Sequence, residues 1–249
     1  MSPLSPLSPC PLVSLVSLVP FVPLSLNYVY ERPIRKPGFE PNWSAYYQAV
    51  EGRPPRETLL AALTRFEAIS QEFSRFAVDL GCGDGRDTAE LLKRGWRVLG
   101  IDGEAKAIAR LQSRPDIDLR RLETLVMRFE DLVLPESVDL INASFCLPFC
   151  PPEHFPSLWN KIIAALRVGG RFCGQLFGDR DSWAVYPNMS HHTRAQVEEL
   201  LQPFKIECFQ EEEHPGTTAL GEQKHWHIFH IVACKQQLTH RLINCNHNV

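Results

Sequence analysis

Two rhythms of apolar and polar positions take turns along this chain from residue 75 onward. Short apolar runs, each of strand length, fall at 75–80, 96–101, 123–128, 138–144, 171–177, 204–210 and 226–234. Between them, helical spacing predicts helices over 86–94, 104–113, 153–167 and 192–202. The stretch from Glu153 follows Pro151 and Pro152 and stops at Gly169 and Gly170, as helix start and stop signals require. Ahead of this series, Leu59, Leu63, Phe66 and Ile69 share one face of a helix expected over about 56–71, after Pro54 and Pro55. Residues 31–52, with Trp43, Tyr46 and Tyr47, show neither rhythm and are expected to be irregular. Alternating strands and helices predict a mostly parallel sheet covered on both faces. The last two strands have no helix between them, so an antiparallel hairpin is expected at one edge. The predicted fold class is therefore α/β, a Rossmann-like seven-stranded sheet ending in a C-terminal hairpin.

Composition bounds this picture. The chain has 249 residues, 44% hydrophobic and 22% charged, enough for one globular domain with a core, plus extensions. Residues 1–26 repeat Ser, Pro, Leu and Val, lack a basic leader and a cleavage site, and read as a disordered tail. Their longest proline-free stretch, Leu12 to Val19, is far too short to span a membrane. The expected division is that tail, an irregular segment and helix over 27–72, a main domain over 73–236 and a short tail over 237–249. The net charge is −3 without a basic stripe, which disfavours a nucleic-acid partner. Eight cysteines without a C-x-x-C pair read as reduced thiols of a cytoplasmic protein. No membrane partner is expected, and composition leaves the oligomeric state open.

The chemistry concentrates in FAVDLGCGDGRDTAELLKRGWRVLGID, residues 76–102. A strand runs into a turn with Gly81, Gly83 and Gly85, then a helix closed by Gly95, then a strand ending on Asp102. Dinucleotide sites use G-x-G-x-x-G to bring a helix end to a pyrophosphate. Here the spacing is G-x-G-x-G, with Arg86 at the third-glycine position and Asp79 two residues before the first. A carboxylate at Asp79 would repel a pyrophosphate and attract an ammonium group. Asp102, seventeen residues after Gly85, is placed to accept ribose hydroxyl protons. Cys82, Gly83 and Asp84 bring backbone close to the ligand, and Gly103 leaves room at a base edge.

The run D-L-G-C-G-D-G-R resembles motif I of the class I S-adenosylmethionine-dependent methyltransferases. With the aromatics Trp43 to Tyr47 and the pairing of HHTRAQVEELLQPFKIE with HWHIFHIVACK, it resembles the tellurite-resistance-type subgroup over about residues 40–236. The resemblance implies S-adenosyl-L-methionine as cofactor and methyl transfer to a small-molecule acceptor. It implies that Asp79, Gly81, Cys82, Gly83, Gly85 and Arg86 surround the methionine part, Arg86 facing its carboxylate. Asp102 and Gly103 would meet the ribose and base. The family's usual acid after the third strand is replaced by Arg128, so Phe129 and Glu130 are the substitutes expected at adenine.

The acceptor end is less determined. NASFCLPFCPPEHF after the fourth strand lacks the prolines of a base-amine methylation motif. Cys146 and Cys150 admit a thiol-assisted reading, in which soft metalloid acceptors bind thiolates. Two small buried residues are the plainer reading. The loop GDRDSWAVYPNMSHHTR offers Asp179, Arg180, Asp181, Trp183 and His191 as a lid over the site. If the acceptor carries a proton, His191, Asp181 or His227 is expected to serve as base. His225 and His227 share a strand face, but no cysteine or acid at suitable spacing completes a metal site, so no metal is expected. Two further alternatives stay open. One is a cofactor-binding regulatory protein without turnover, and the other a polyamine synthase, which typically has paired acids where this chain has Ser144 and Phe145.

Overall fold

The computed structural model describes residues 37–68 and 75–237. The expected tail over 1–26, the last turn of the helix expected to 71, and residues beyond 237 lie outside the described residues. Six helices and eight strands follow in the order α1 (Trp43–Val50), α2 (Glu57–Glu67), β1 (Phe76–Leu80), α3 (Arg86–Lys93), β2 (Arg97–Asp102), α4 (Ala105–Ser113), β3 (Leu122–Val126), β4 (Val138–Ala143), α5 (Phe155–Ala165), β5 (Leu166–Gly178), β6 (His191–His192), α6 (Arg194–Leu200), β7 (Phe204–Thr217) and β8 (Gln223–Lys235), counted among the described residues.

The main sheet runs β3-β2-β1-β4-β5-β8-β7, with the two-residue β6 beside β5. The pairs among β1 to β5 are parallel, and β8 is antiparallel to both β5 and β7. The chain moves outward from β1 to β3, then returns to place β4 on the other side of β1. That reversal opens a crevice beyond the carboxyl ends of β1 and β4, where ligands of open α/β sheets bind.

β1 shows why both faces are covered. Val78 and Leu80 join the cluster that holds Phe155, Leu158, Trp159 and Ile162 of α5. Ala77 joins Leu59, Leu63 and Phe66 of α2 and Leu91 of α3 on the opposite face. The period-two alternation thus sends neighbours to opposite layers. Asp79 falls on the α2/α3 side of this alternation, next to Thr88.

Four elements differ from the sequence reading. β5 begins at Leu166, directly after α5, so Gly169 and Gly170, expected to stop the helix, lie within the strand. Residues 43–50 are helical rather than irregular, because Asn42 caps them by accepting from the Ala45 amide at 3.1 Å. The helix expected from 192 begins at Arg194, since His191 and His192 pair with β5 and Thr193 forms a capping box with Gln196. The hairpin β7–β8 is longer than its apolar runs. Its polar half is zipped by His225, His227 and His230, which bond Glu213, Glu211 and Glu212 of the facing strand at 3.0, 3.0 and 2.7 Å. β8 pairs with β5 only as far as Ile228, so the last turns of the hairpin project past the sheet as a two-stranded flap. No helix among the described residues is long and apolar enough to cross a membrane.

Candidate active site

A cavity of about 680 Å³ occupies the crevice at the β1/β4 reversal. That volume lies in the range of small-molecule sites. One end is lined by the glycine turn, the end of β2 and the segment Met127 to Glu130. The other is walled by aromatic rings and by the hairpin flap.

Asp79 is 1% exposed and lies on the cavity wall. Thr88 Oγ1 and Asn142 Nδ2 donate to it at 2.6 and 2.8 Å. Burial, together with the nearby Asp87 charge, pushes its carboxyl up to about 7, against the two hydrogen bonds that favour ionisation. Asn142 Nδ2 also donates to Asp87 at 3.1 Å, so one amide bridges two acids. Asp102, 8% exposed, accepts from the Gly83 amide at 2.9 Å and the Glu104 amide at 2.8 Å. Burial raises it as well. Each of its oxygens keeps a lone pair for a further donor.

Of the expected cofactor residues, Asp79, Gly81, Cys82, Gly83, Arg86, Asp102, Gly103, Phe129 and Glu130 line the cavity. Gly85 does not. Its φ is +86° and an added Cβ would lie 2.2 Å from Leu111 Cδ1, so it serves the junction of α3 with α4. Gly83, at φ +57°, lies under the Tyr47 ring, with an added Cβ 2.9 Å from Tyr47 Cε1. Left-handed backbone costs an L-residue about 1–2 kcal/mol. Gly83→Ala is therefore expected to lower stability by about that amount and to lift α1 from the turn, read by thermal melting and by Trp43 and Tyr47 emission. An unchanged melting temperature would contradict this packing.

The expected acceptor-end residues separate. Trp183 lines the cavity, whereas Asp179, Arg180, Asp181, His191 and His227 do not. Asp181 is bound to the Lys224 ammonium, and both side chains are fully buried. His191 is held near Asp181 at 4.0 Å, and burial lowers its ring below the ordinary histidine value. His227 is fully buried behind the flap on Glu211. The three candidate bases thus form part of the support behind the wall. Cys146 reaches the cavity, but Cys150 does not. Burial raises both thiols, Cys150 to about 12, which disfavours the thiolate form that a soft metalloid would need.

Some residues in and behind the wall had no role in the sequence reading. Arg56 caps α2, and its backbone amide donates to Asp87 Oδ1 at 3.0 Å, which brings its guanidinium over the Phe145 ring at 4.2 Å. Burial and the adjacent Arg86 charge lower the Arg56 guanidinium from its ordinary value. Asn142, buried behind the wall on Asp79 and Asp87, and the flap residue His214 had no local signal beyond their type. The chamber rings Phe39, Trp43, Phe149 and Trp183 contact one another at centroid distances of 4.4 to 6.4 Å.

Residues 77–170 match the family model described as a methyltransferase domain. Trans-aconitate 2-methyltransferase of Enterobacter sp. (strain 638) is 32% identical over 143 residues, covering 55% of this chain and 50% of that protein. The chain spans about half the length of such curated relatives. Among solved structures, TehB from Haemophilus influenzae superposes with a TM-score of 0.59 at 19% identity, covering 70% of this chain and 61% of TehB. Haemonchus contortus phosphoethanolamine N-methyltransferase 2, solved with S-adenosyl-L-methionine, superposes with a TM-score of 0.56 at 17% identity, covering 78% and 57%. These structures share the fold with the chain, and residues 77–170 resemble the methyltransferase-domain family.

Proposed function

We propose that the protein binds S-adenosyl-L-methionine and transfers its methyl group to a small-molecule acceptor. The observation that carries this reading is the pair of buried acids, Asp79 and Asp102, at the ends of adjacent strands on one cavity wall. In this reading Asp79 takes the cofactor ammonium and Asp102 the ribose hydroxyls. Arg86 meets the carboxylate, and Phe129 and Glu130 meet the base. The glycine turn admits the methionine chain without a Cβ in its path. The aromatic end of the cavity then faces the sulfonium methyl. An acceptor lone pair attacks the methyl carbon, the carbon–sulfur bond breaks, and its electrons leave on sulfur as the neutral thioether. Sulfonium is a good leaving group, so holding the acceptor in line does most of the work.

A cavity of about 680 Å³ bordered by α1 and the flap supports a small acceptor rather than a polymer. The fold likeness to TehB is in keeping with the tellurite-resistance-type subgroup that the glycine motif resembles. Calorimetric titration with S-adenosylmethionine and S-adenosylhomocysteine tests the cofactor. Micromolar binding followed by transfer of labelled methyl to an acceptor, trans-aconitate among those tried, is the expected result. A folded protein that binds neither compound overturns the reading.

A further inference from the structure

Asp79 of β1, Asn142 of β4 and Cys173 of β5 are register partners, so their side chains stand in a row on one face of three adjacent strands. Asn142 is fully buried in that row, among apolar neighbours that include Leu140. All four hydrogen-bonding positions of its amide are taken. Nδ2 donates to Asp79 Oδ1 at 2.8 Å and to Asp87 Oδ2 at 3.1 Å. Oδ1 accepts from Ser144 Oγ at 3.1 Å and from Cys173 Sγ at 3.2 Å. Reversing the amide would turn its oxygen toward two carboxylates, so the surroundings fix which end faces the acids.

The setting of Asp79 gives that amide its work. Burial raises the Asp79 carboxyl, and so do the charges of Asp87 on α3 and Asp102 at the end of β2. Thr88 Oγ1 is its other donor, at 2.6 Å. Beyond Asp87 stand Arg86, with Nε at 3.8 Å, and the donating backbone amide of Arg56. The nearby Cys82, Cys146 and Cys173 thiols are raised by burial and bring no charge. Neutral donors from Thr88 and Asn142 thus favour the ionised form against burial and two like charges. They take one lone pair on each Asp79 oxygen and leave one on each for a further donor.

We propose that Asn142 is a positioning residue for the cofactor: its amide parts the Asp79 and Asp87 carboxylates and keeps Asp79 a carboxylate set to receive the cofactor ammonium. This rests on the cofactor reading above. Asn142 does not line the cavity and acts through Asp79.

The test is calorimetric titration of the full chain with S-adenosylhomocysteine, which carries the same amine, from pH 5.5 to 8.5. In Asn142→Leu the pH at which affinity rises is expected to move up by about one unit, the value of one hydrogen bond to a charged group. Relative to wild type, the loss is then about tenfold near pH 6 and about twofold near pH 8. Thr88→Val removes the other donor and should move the profile the same way. In the Asp79→Asn background, Asn142→Leu should add no pH-dependent loss. Melting curves identify folded variants. Asn142→Thr keeps one donor, should shift the profile by less, and decides the question if the leucine variant does not fold. A folded variant whose profile is unmoved, or which loses the same factor at every pH, overturns this proposal alone, because the side chain then serves packing. A pH shift that persists without Asp79 also overturns it. Wild type that binds with a flat profile overturns the role of Asp79 and this proposal. Wild type that binds no S-adenosylhomocysteine overturns the cofactor reading, and this proposal with it.

Discussion

Asp181→Ala is expected to destabilise the protein by about 3–5 kcal/mol, the range for removing one partner of a buried ion pair. The Lys224 ammonium would then sit inside Phe177, Trp183 and Trp226 without its carboxylate. The same carboxylate accepts from the Trp183 amide at 2.9 Å and the His227 amide at 3.3 Å, so the loop, the flap and the end of β5 loosen together. Burial already lowers the Lys224 ammonium from its ordinary value, and the Asp181 charge opposes that shift. For a domain of this size the melting temperature should fall by about 10 °C. The double variant Asp181→Leu with Lys224→Met should recover much of the loss, because replacing both charges removes the desolvation cost. A single variant that melts within a degree or two of wild type would mean that the pair contributes nothing.

Asp79→Asn is expected to weaken S-adenosylmethionine binding by about 10- to 150-fold near pH 7.5, the value of a hydrogen bond to a charged group. The pH dependence carries a sign that can be checked. With its carboxyl raised to about 7, folded Asp79 keeps its proton over a range where the unfolded chain has lost it. Its contribution to stability is thus present at low pH and lost as pH rises through about 7. A bound ammonium favours the ionised carboxylate and pulls that value down. Cofactor affinity should therefore rise with pH up to about 7, and binding below that pH should release a proton. Above about pH 8 the cofactor amine loses its own proton and affinity should fall again. Calorimetry in buffers of different ionisation enthalpy counts the released proton. In Asp79→Asn the rising limb should vanish. A wild-type profile flat from pH 5.5 to 7.5 would show that Asp79 does not face the ammonium.

The cofactor end was legible because its signals are local. Asp79, the glycines and Asp102 stand within one strand–turn–helix–strand unit, and their spacing is dictated by backbone geometry. The acceptor end draws on contacts that no spacing records. Arg56 reads as an ordinary helix start, yet it reaches the cavity because Asp87, 31 residues on, holds its amide. The polar half of the hairpin fell outside the apolar runs, since acids and histidines satisfy each other across the strands instead of burying an apolar face. His227 and Asp181 carried the residue types of a catalytic base, but their chemistry is spent on Glu211 and Lys224. Gly85 obeyed the motif for a packing reason, the approach of Leu111, rather than for ligand contact.

The cavity wall is divided along the chain. Its lining draws on residues 79–104 and 127–130 of the central unit, and on residues 39–56, 144–149 and 177–228, of which Tyr47 and Cys146 also pack on the glycine turn. The hairpin tip between Thr217 and Gln223 closes on itself through the Thr218–Glu222 backbone bond and pairs with no other strand. Substitution or lengthening at that tip reshapes the chamber while the central sheet and the glycine turn keep their register. If the tip borders the acceptor as proposed, a library confined to it is expected to change which acceptor is used while S-adenosylmethionine affinity holds.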